Sequence, residues 1–440
     1  MSVRGNVLWT PQRLVYSACL VALEQGPLVE RFLDAREYLR SVCPHWKLGT
    51  SHGGWVEAHK REQERLIPAI KERLRQHNQA LSSRAVASRW QALAVDGTNA
   101  ACPRTRDNQA AMGDTGRPDG IPQLSMTLIQ HVDTGLPWDF RVGSSDESER
   151  GHLRAMADDL PSDSLLVADA GFIGYDLCRE LLEKRRHFLL RVGGNARLLQ
   201  KLGYQSENDI PRVDGDDVAD NKNLKVDVQV HVPDAVHREG QTVYLWPIQQ
   251  QERREPPIRL RMILVRDADK RPVHLVTSVL EASELAAGEA SAIYRARWNI
   301  EVCFRTAKQT YEQARLRSRS PDSCYLEMGW VIIGLWMLGL MTAREVVAAG
   351  VDPRRISHAR ARRAVRRARL GMKPRGGPRS FKAALAVCVQ DRYARKKSKT
   401  SRNYPRKKKH ARPGPPRLKM ATTTQAQLAK QLTPLMLGAM

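Results

Sequence analysis

Apolar residues recur at three- and four-residue spacing through RLVYSACLVALEQ and, more sparsely, through EAHKREQERLIPAIKERLRQ, which predicts helices up to about Ala85. From about Ala87 the pattern changes to short apolar runs bounded by turn residues. Leu93, Ala94 and Val95 stand directly before Asp96, Gly97 and Thr98, and this predicts a buried strand that ends at an acid and a turn. Strands follow over Leu124–His131 and Trp138–Val142, joined by the turn-forming DTGLP. A helix is expected over Glu147–Asp159, then a strand over Leu165–Ala168 ending at Asp169. A turn over Gly171–Gly174, a helix to about Lys184 and a strand over Phe188–Val192 complete this stretch.

Between Val192 and about Glu281 the chain reads as strands separated by polar loops. KVDVQVHV alternates with period two, and TVYLWPI, RLRMILVR and PVHLVTSV follow. YRARWNIEVCFRTAK returns to helical period. The run MGWVIIGLWMLGLM, Met328–Met341, is too short to span a bilayer and is expected as a buried helix packed behind it. Beyond Gly350, RRISHARARRAVRRARLGMKPRGGPR is intensely basic and FKAALAVCV allows a short helix. RYARKKSKTSRNYPRKKKHARPGPPR is basic and proline-rich without apolar period, so the tail after Arg392 is expected to be disordered.

The strongest candidate chemistry lies in YRARWNIEVCFRTAK. On a helix turning about 100° per residue, Tyr294, Arg297, Glu301 and Lys308 fall within roughly 60° of one another, with Trp298 and Arg305 on the same stripe. Ile293, Ala296, Ile300, Cys303, Phe304 and Ala307 form the opposite, apolar face. One carboxylate among cations and aromatics suits a metal ion held against a phosphate backbone. On an arbitrary helix the same residues more commonly make a solvated face of Arg–Glu pairs. Two isolated acids, Asp96 and Asp169, shift the balance, because each stands at the end of a strand pattern. A lone Asp there is more often a turn or N-cap residue, and Asp107, Asp163 and Asp176 are read in that ordinary way. An acid at the end of a buried strand is, however, rigidly held.

Charge narrows the partner. The chain has 440 residues and a formal net charge of +25, length enough for two or three domains and a balance that implies a polyanion, nucleic acid first. An anionic membrane is the rival, but the basic stretches lack an amphipathic pattern with aromatics, so no membrane partner is expected. A ribosome-associated basic protein would suit the tail and leave the three acids unexplained. The 7 cysteines are scattered without a C-x-x-C pair, which favours free thiols over disulfides or a zinc site. The start, MSVRGNVLWTPQRL, lacks the apolar stretch of a secretory signal, and a cytoplasmic location is expected.

These residues, in this order, resemble the bacterial insertion-sequence transposases of the family named after insertion sequence four, which carry an Asp-Asp-Glu triad and a Tyr-Arg-Glu-Lys signature. VDGT around Asp96 resembles the first-acid region and VADAGF around Asp169 the second. The signature stands complete at Tyr294, Arg297, Glu301 and Lys308, with Trp298 beside it, and the resemblance runs over roughly Trp90–Met341. It implies an α/β fold: a ribonuclease H-like catalytic core interrupted by a β-rich insertion, with a helical N-terminal region and a basic C-terminal tail. The expected divisions are a helical DNA-binding region over 1–86, the first part of the core over 87–195, the insertion over 196–281, the second part with the third acid over 282–347, and a partly disordered basic region over 348–440.

The resemblance further implies a DNA transposase that cleaves phosphodiester bonds at transposon ends and transfers strands into target DNA. Asp96, Asp169 and Glu301 are then the catalytic acids and the ligands of two Mg²⁺ ions, for which Mn²⁺ can substitute. Carboxylate oxygens are the ligands Mg²⁺ prefers, and two ions about 3.5–4 Å apart both activate the nucleophile and spread charge on phosphorus. Asp96 would bridge the pair. Arg297 and Lys308 are expected to grip phosphates and Tyr294 to donate to one. Trp298 either stacks on an unpaired base or lies in the core, and Arg191 makes either a backbone contact or a surface ion pair. Double-stranded DNA, as transposon end and as target, is the expected partner, and two-ended transposition implies a homodimer on DNA. A metal-dependent nuclease of the same fold, or an inactive DNA-binding derivative, are the alternatives, and the intact triad argues against the second. The basic region from Arg354 to Arg417 is expected to add affinity without regard to sequence.

Overall fold

The computed structural model describes residues 8–85, 89–113, 120–204, 239–266, 271–372, 377, 380–390 and 414–436. The fold is mixed α/β and comprises two compact units, each built from two separate stretches: Met1–Leu160 with Ala296–Tyr404, and Pro161–Arg295 with Pro405–Met440. The stretch 87–195, expected as one part of a core, therefore contributes to both. Elements are numbered in chain order.

The first unit begins with α1 (Pro11–Leu23), α2 (Leu28–Val42) and α3 (His52–Ala85). The Thr10 hydroxyl caps α1 by accepting from the Arg13 amide, and Pro11 occupies the first turn, where its missing N–H costs nothing. Strand β1 (Ala92–Ala101), helix α4 (Arg106–Ala111), strands β2 (Gln123–His131) and β3 (Leu136–Ser144) and helix α5 (Glu149–Met156) follow. The strands lie in the order β1-β2-β3, all antiparallel. β1 is longer than expected: pairing with β2 continues through Asp96↔Leu128, Gly97↔Thr127 and Thr98↔Met126, so Asp96 lies inside the strand rather than at its end. The returning stretch supplies four helices, whose spans are Asn299–Arg305, Pro321–Ala348, His358–Arg369 and Phe381–Ala386.

The helix Pro321–Ala348 forms the centre of this unit's core. Trp330, Ile332, Ile333, Leu335 and Trp336 are buried on it, and it packs against α1, α3 and β3. At Gly334 an added Cβ would come within 3.1 Å of the Ala22 Cβ, so the glycine sets the close approach of α1. The helix has 28 residues, twice the apolar run Met328–Met341, because a proline start at Pro321 and polar end turns extend it. By length and composition alone it is long and apolar enough to cross a membrane, and it is mostly buried within this unit.

One edge of the charged helix α3 turns inward. Lys71 and Arg75 reach the Asp139 carboxylate of β3 at 2.7 and 3.0 Å, and Asn78 donates to the Pro137 carbonyl at 3.0 Å. These residues sit one helical turn apart, and Asp139 is 1% exposed. A buried carboxylate held by two cations becomes costly for its partners once it is removed. Asp139→Ala should therefore destabilise the protein by about 3–5 kcal/mol, read as a fall in the denaturation midpoint.

The second unit contains β4 (Leu165–Ala168), α6 (Tyr175–Glu183), β5 (His187–Val192), β6 (Arg197–Gln200), β7 (Thr242–Leu245), α7 (Ile248–Glu252), β8 (Ile258–Arg266), β9 (Pro272–Thr277) and α8 (Ala287–Ala296). With α8 placed here, the first unit's returning helices become α9 (Asn299–Arg305), α10 (Pro321–Ala348), α11 (His358–Arg369) and α12 (Phe381–Ala386). The second unit ends with β10 (Arg417–Met420) and α13 (Thr423–Ala429). The strand order within it is β10-β6-β7-β8-β9-β5-β4. β4 and β5 are parallel, with α6 as the crossover, whereas β5 and β9, and β9 and β8, are antiparallel. The strands foreseen after Val192 thus extend the β4–β5 sheet through β9. KVDVQVHV lies outside the described residues, as does most of the basic tail. The chain end corrects the expectation of disorder after Arg392: β10 pairs with β6 in parallel, and a Thr422–Gln425 capping box starts α13.

Candidate functional site

The signature segment is not one helix. α8 ends at Ala296, Arg297 and Trp298 form a turn, α9 runs over Asn299–Arg305, and a π-helical turn covers Thr306–Thr310. The four signature residues therefore do not lie on one continuous α-helix. The turn instead separates the two residues at the break: Arg297 goes inward, 8% exposed, while Trp298 goes outward, 56% exposed, and so is not a core residue. Ile300, Cys303, Phe304 and Ala307 are buried, as the apolar face required. Glu301 is half-buried on α9, and Tyr294 is half-buried on α8, which belongs with the second unit.

The structure brings Asp96, Arg297 and Lys308 together on β1. Arg297 Nη1 donates to Asp96 Oδ2 at 3.3 Å, with side-chain exposures of 9% and 19%. Asp96 Oδ1 accepts from the Gly97 amide at 2.9 Å. Two residues along, and hence on the same face of the strand, Thr98 Oγ1 accepts from Lys308 Nζ at 2.6 Å. Burial holds the Lys308 ammonium below the usual lysine range. The chain beyond the π turn stays alongside β1: the Ala101 amide donates to the Ala314 carbonyl and the Leu316 amide to the Ala101 carbonyl. Gln130, buried on β2, donates to the Asn299 carbonyl at 3.4 Å and ties the β2–β3 hairpin to the start of α9.

On the other face of β1, Gly97 leaves room for a neighbouring side chain. A Cβ there would collide with the Glu149 carboxylate of α5. Thr98, Gly97 and Gln130 escaped the sequence reading because β1 was expected to end at Asp96. The available signal was Asp96 and Thr98 at strand spacing.

Asp169 lies in the second unit, directly after β4, as expected. Its Oδ1 accepts from the Gly171 amide at 2.8 Å, so the carboxylate closes an Asx turn. Asp107 and Asp176 sit in the first turns of α4 and α6, and Asp163 occupies a turn at φ 58°. Arg191 is half-buried in β5, paired with Leu275 of β9. The donor chemistry of Asp96, Asp169 and Glu301 suits a hard divalent cation. Among the described residues no group of three or more His, Cys, Asp or Glu side chains gathers as a metal cage. Both Asp96 oxygens already accept hydrogen bonds.

Two outcomes follow from this geometry. Arg297 is a buried partner of Asp96, so Arg297→Ala should cost about 1–3 kcal/mol of stability, the price of a desolvated carboxylate left without its donor. A double-mutant cycle with Asp96→Ala should recover part of that loss, and strict additivity would contradict the pairing. The Thr98 hydroxyl accepts from the charged form of Lys308 and so favours it. Thr98→Ala should move the pH midpoint of Lys308 acylation further down, and Thr98→Ser should restore it, as followed by peptide mass spectrometry.

Residues 89–337 match the family described as the transposase DDE domain, more than half of the chain and a span that includes Asp96, Asp169 and Glu301. A curated relative, transposase InsG for insertion sequence element IS4 from Escherichia coli (strain K12), is 26% identical over 250 residues, which make up 55% of this chain and 50% of that protein. The chain thus spans about half the length of this relative. Among solved structures, a chain of the cryo-EM structure of the piggyBac transposase synaptic complex with hairpin DNA aligns with a TM-score of 0.41 and 10% identity, covering 89% of this chain and 80% of that one. With a family match across the whole stretch from the Asp96 strand to α10, the chain belongs to the transposase DDE-domain family.

Proposed function

We propose that this protein is a DNA transposase that cleaves phosphodiester bonds at transposon ends and joins them to target DNA, with a ribonuclease H-like core formed by the segments around Asp96, Asp169 and Glu301. The observation that carries the reading is the convergence of two signature cations, Arg297 and Lys308, on the Asp96 strand. In this reading Asp96, Asp169 and Glu301 act together as the ligands of two Mg²⁺ ions, replaceable by Mn²⁺. The bound ions would supply activation of the attacking oxygen and charge stabilisation at phosphorus.

The remaining roles fall to the chain itself. Lys308, held by Thr98, presents a fixed ammonium to a phosphate near the scissile bond. Arg297 orients and neutralises Asp96, and so acts as a positioning residue as well as a hydrogen-bond donor to phosphate. Exposed Trp298 offers a ring on which an unpaired base can stack, Tyr294 donates to a phosphate oxygen, and Arg191 adds a backbone contact. The region 1–86 contributes to DNA binding, 196–281 is an insertion into the core, and 348–440 is a basic region. The working form is a homodimer on double-stranded DNA in the cytoplasm.

Purified protein with Mg²⁺ should cut a duplex carrying the element's own ends and join it to plasmid DNA. Asp96→Asn, Asp169→Asn and Glu301→Gln should each abolish cleavage while leaving duplex binding nearly intact. Cutting without joining would replace this reading by a nuclease, and full activity in any one of the three variants would remove that acid from the site.

A further inference from the structure

Helix α11 carries six arginines in twelve residues, HARARRAVRRAR, and the fold divides the five from Arg362 onward into two classes. Two are turned inward. Arg362 donates from Nε to the Leu23 carbonyl at 2.5 Å and from Nη1 to the Thr310 carbonyl, with its guanidinium 5.6 Å from the centre of the Tyr311 ring. Arg369 pairs with Glu24 and lies 4.8 Å over the Tyr38 ring. Ala361, on the same helix, is buried in the core. These contacts anchor α11 to α1, α2 and the π turn that carries Lys308.

Arg363, Arg366 and Arg367 are exposed. At about 100° per residue they occupy an arc of roughly 100° opposite the buried Ala361, with Arg362 and Arg369 on its flank. Among the described residues no carboxylate pairs with them, although the same helix has recruited Glu24 for Arg369. Three like charges within about 6 Å of helix axis repel one another, and a polyanion would relieve that repulsion. Each strand of a duplex carries one phosphate per about 3.4 Å of helix axis, a charge density comparable to that of the stripe.

We infer that the outward stripe Arg363, Arg366 and Arg367 of α11 is a fixed contact surface for the phosphates of double-stranded DNA, and that Arg362 and Arg369 hold the helix in place without touching DNA. The inference rests on the DNA-acting reading above and sharpens it: part of the basic region's affinity comes from a rigid helix bolted to the Lys308 segment, not only from a polybasic tail. Guanidiniums held on such a helix lose less freedom on binding than those of a loose chain.

The test uses the full-length protein, a fluorescent duplex of arbitrary sequence and salt varied between about 50 and 200 mM. The triple variant Arg363→Gln, Arg366→Gln, Arg367→Gln should keep the wild-type melting temperature. It should flatten the dependence of log Kobs on log salt by about 3, since each phosphate contact contributes about 0.9 to that slope. Arg362→Gln and Arg369→Gln should lower the melting temperature and leave the slope unchanged at temperatures where they are folded. A wild-type slope in the triple variant would overturn the stripe while leaving the transposase reading standing. A wild-type protein that binds no duplex at any salt would overturn that reading, and the stripe with it.

Discussion

A half-buried carboxylate in the middle of an antiparallel strand needs compensation, and the pairing of Asp96 with Arg297 supplies it. Taken out of water without a partner, such a group would neutralise or force the strand open. Meeting this demand shapes the signature segment. The α-helical ladder is interrupted at Arg297 and Trp298, with the guanidinium inward and the indole outward. It resumes as α9, and the π turn at Thr306–Thr310 then carries Lys308 back to Thr98, two residues beyond Asp96 on the same strand face. A straight helix could present four residues on a stripe, but it could not return to one strand at two positions.

The strand answers with equally local choices. Asp96 and Thr98 face the signature segment, and Gly97 between them leaves room for Glu149 on the opposite face. Thr127, which pairs with Gly97 across the ladder, is bonded to the buried His152 of α5 at 3.0 Å, and His152 meets Glu147 at 3.1 Å. The strand bearing the first candidate acid is therefore held on one face by hydrogen-bonded side chains, and its neighbour β2 is tied to α5 on the other. A carboxylate on so constrained a strand loses little freedom when it takes up a ligand.

The strongly basic composition is handled by sorting. Lys71, Arg75, Arg297, Arg362 and Arg369 are drawn inward, and each meets a carboxylate, a carbonyl or an aromatic face. Other cations stay at the surface, some of them in exposed pairs such as Arg65–Glu62 and Arg354–Asp352. This explains how a chain of net charge +25 can close a core: its inward cations serve as cross-links between α3 and β3, between β1 and the signature turn, and between α11 and α1.

Periodicity and turn chemistry by themselves determined the alternation of helices and strands, the β4–α6–β5 crossover with Asp169 at its first strand end, the buried face of the signature segment and the apolar helix behind it. The resemblance residues also marked a span close to the one the family match covers. Those features depend on local pattern, which the chain carries in its own order. The tertiary structure decided the rest. No glycine or proline marks the break at Arg297 and Trp298, because it is imposed by Asp96, 201 residues away in sequence. β1 continues past Asp96 because β2 offers it a ladder, although Gly97 reads locally as a turn. Polar residues of α3 became interior because Asp139 of β3 lies beneath them, and the chain end formed β10 because the free edge of β6 accepts a parallel strand. In each case a partner remote in sequence pays the desolvation or supplies the hydrogen bonds, and no window of local sequence records where that partner will be.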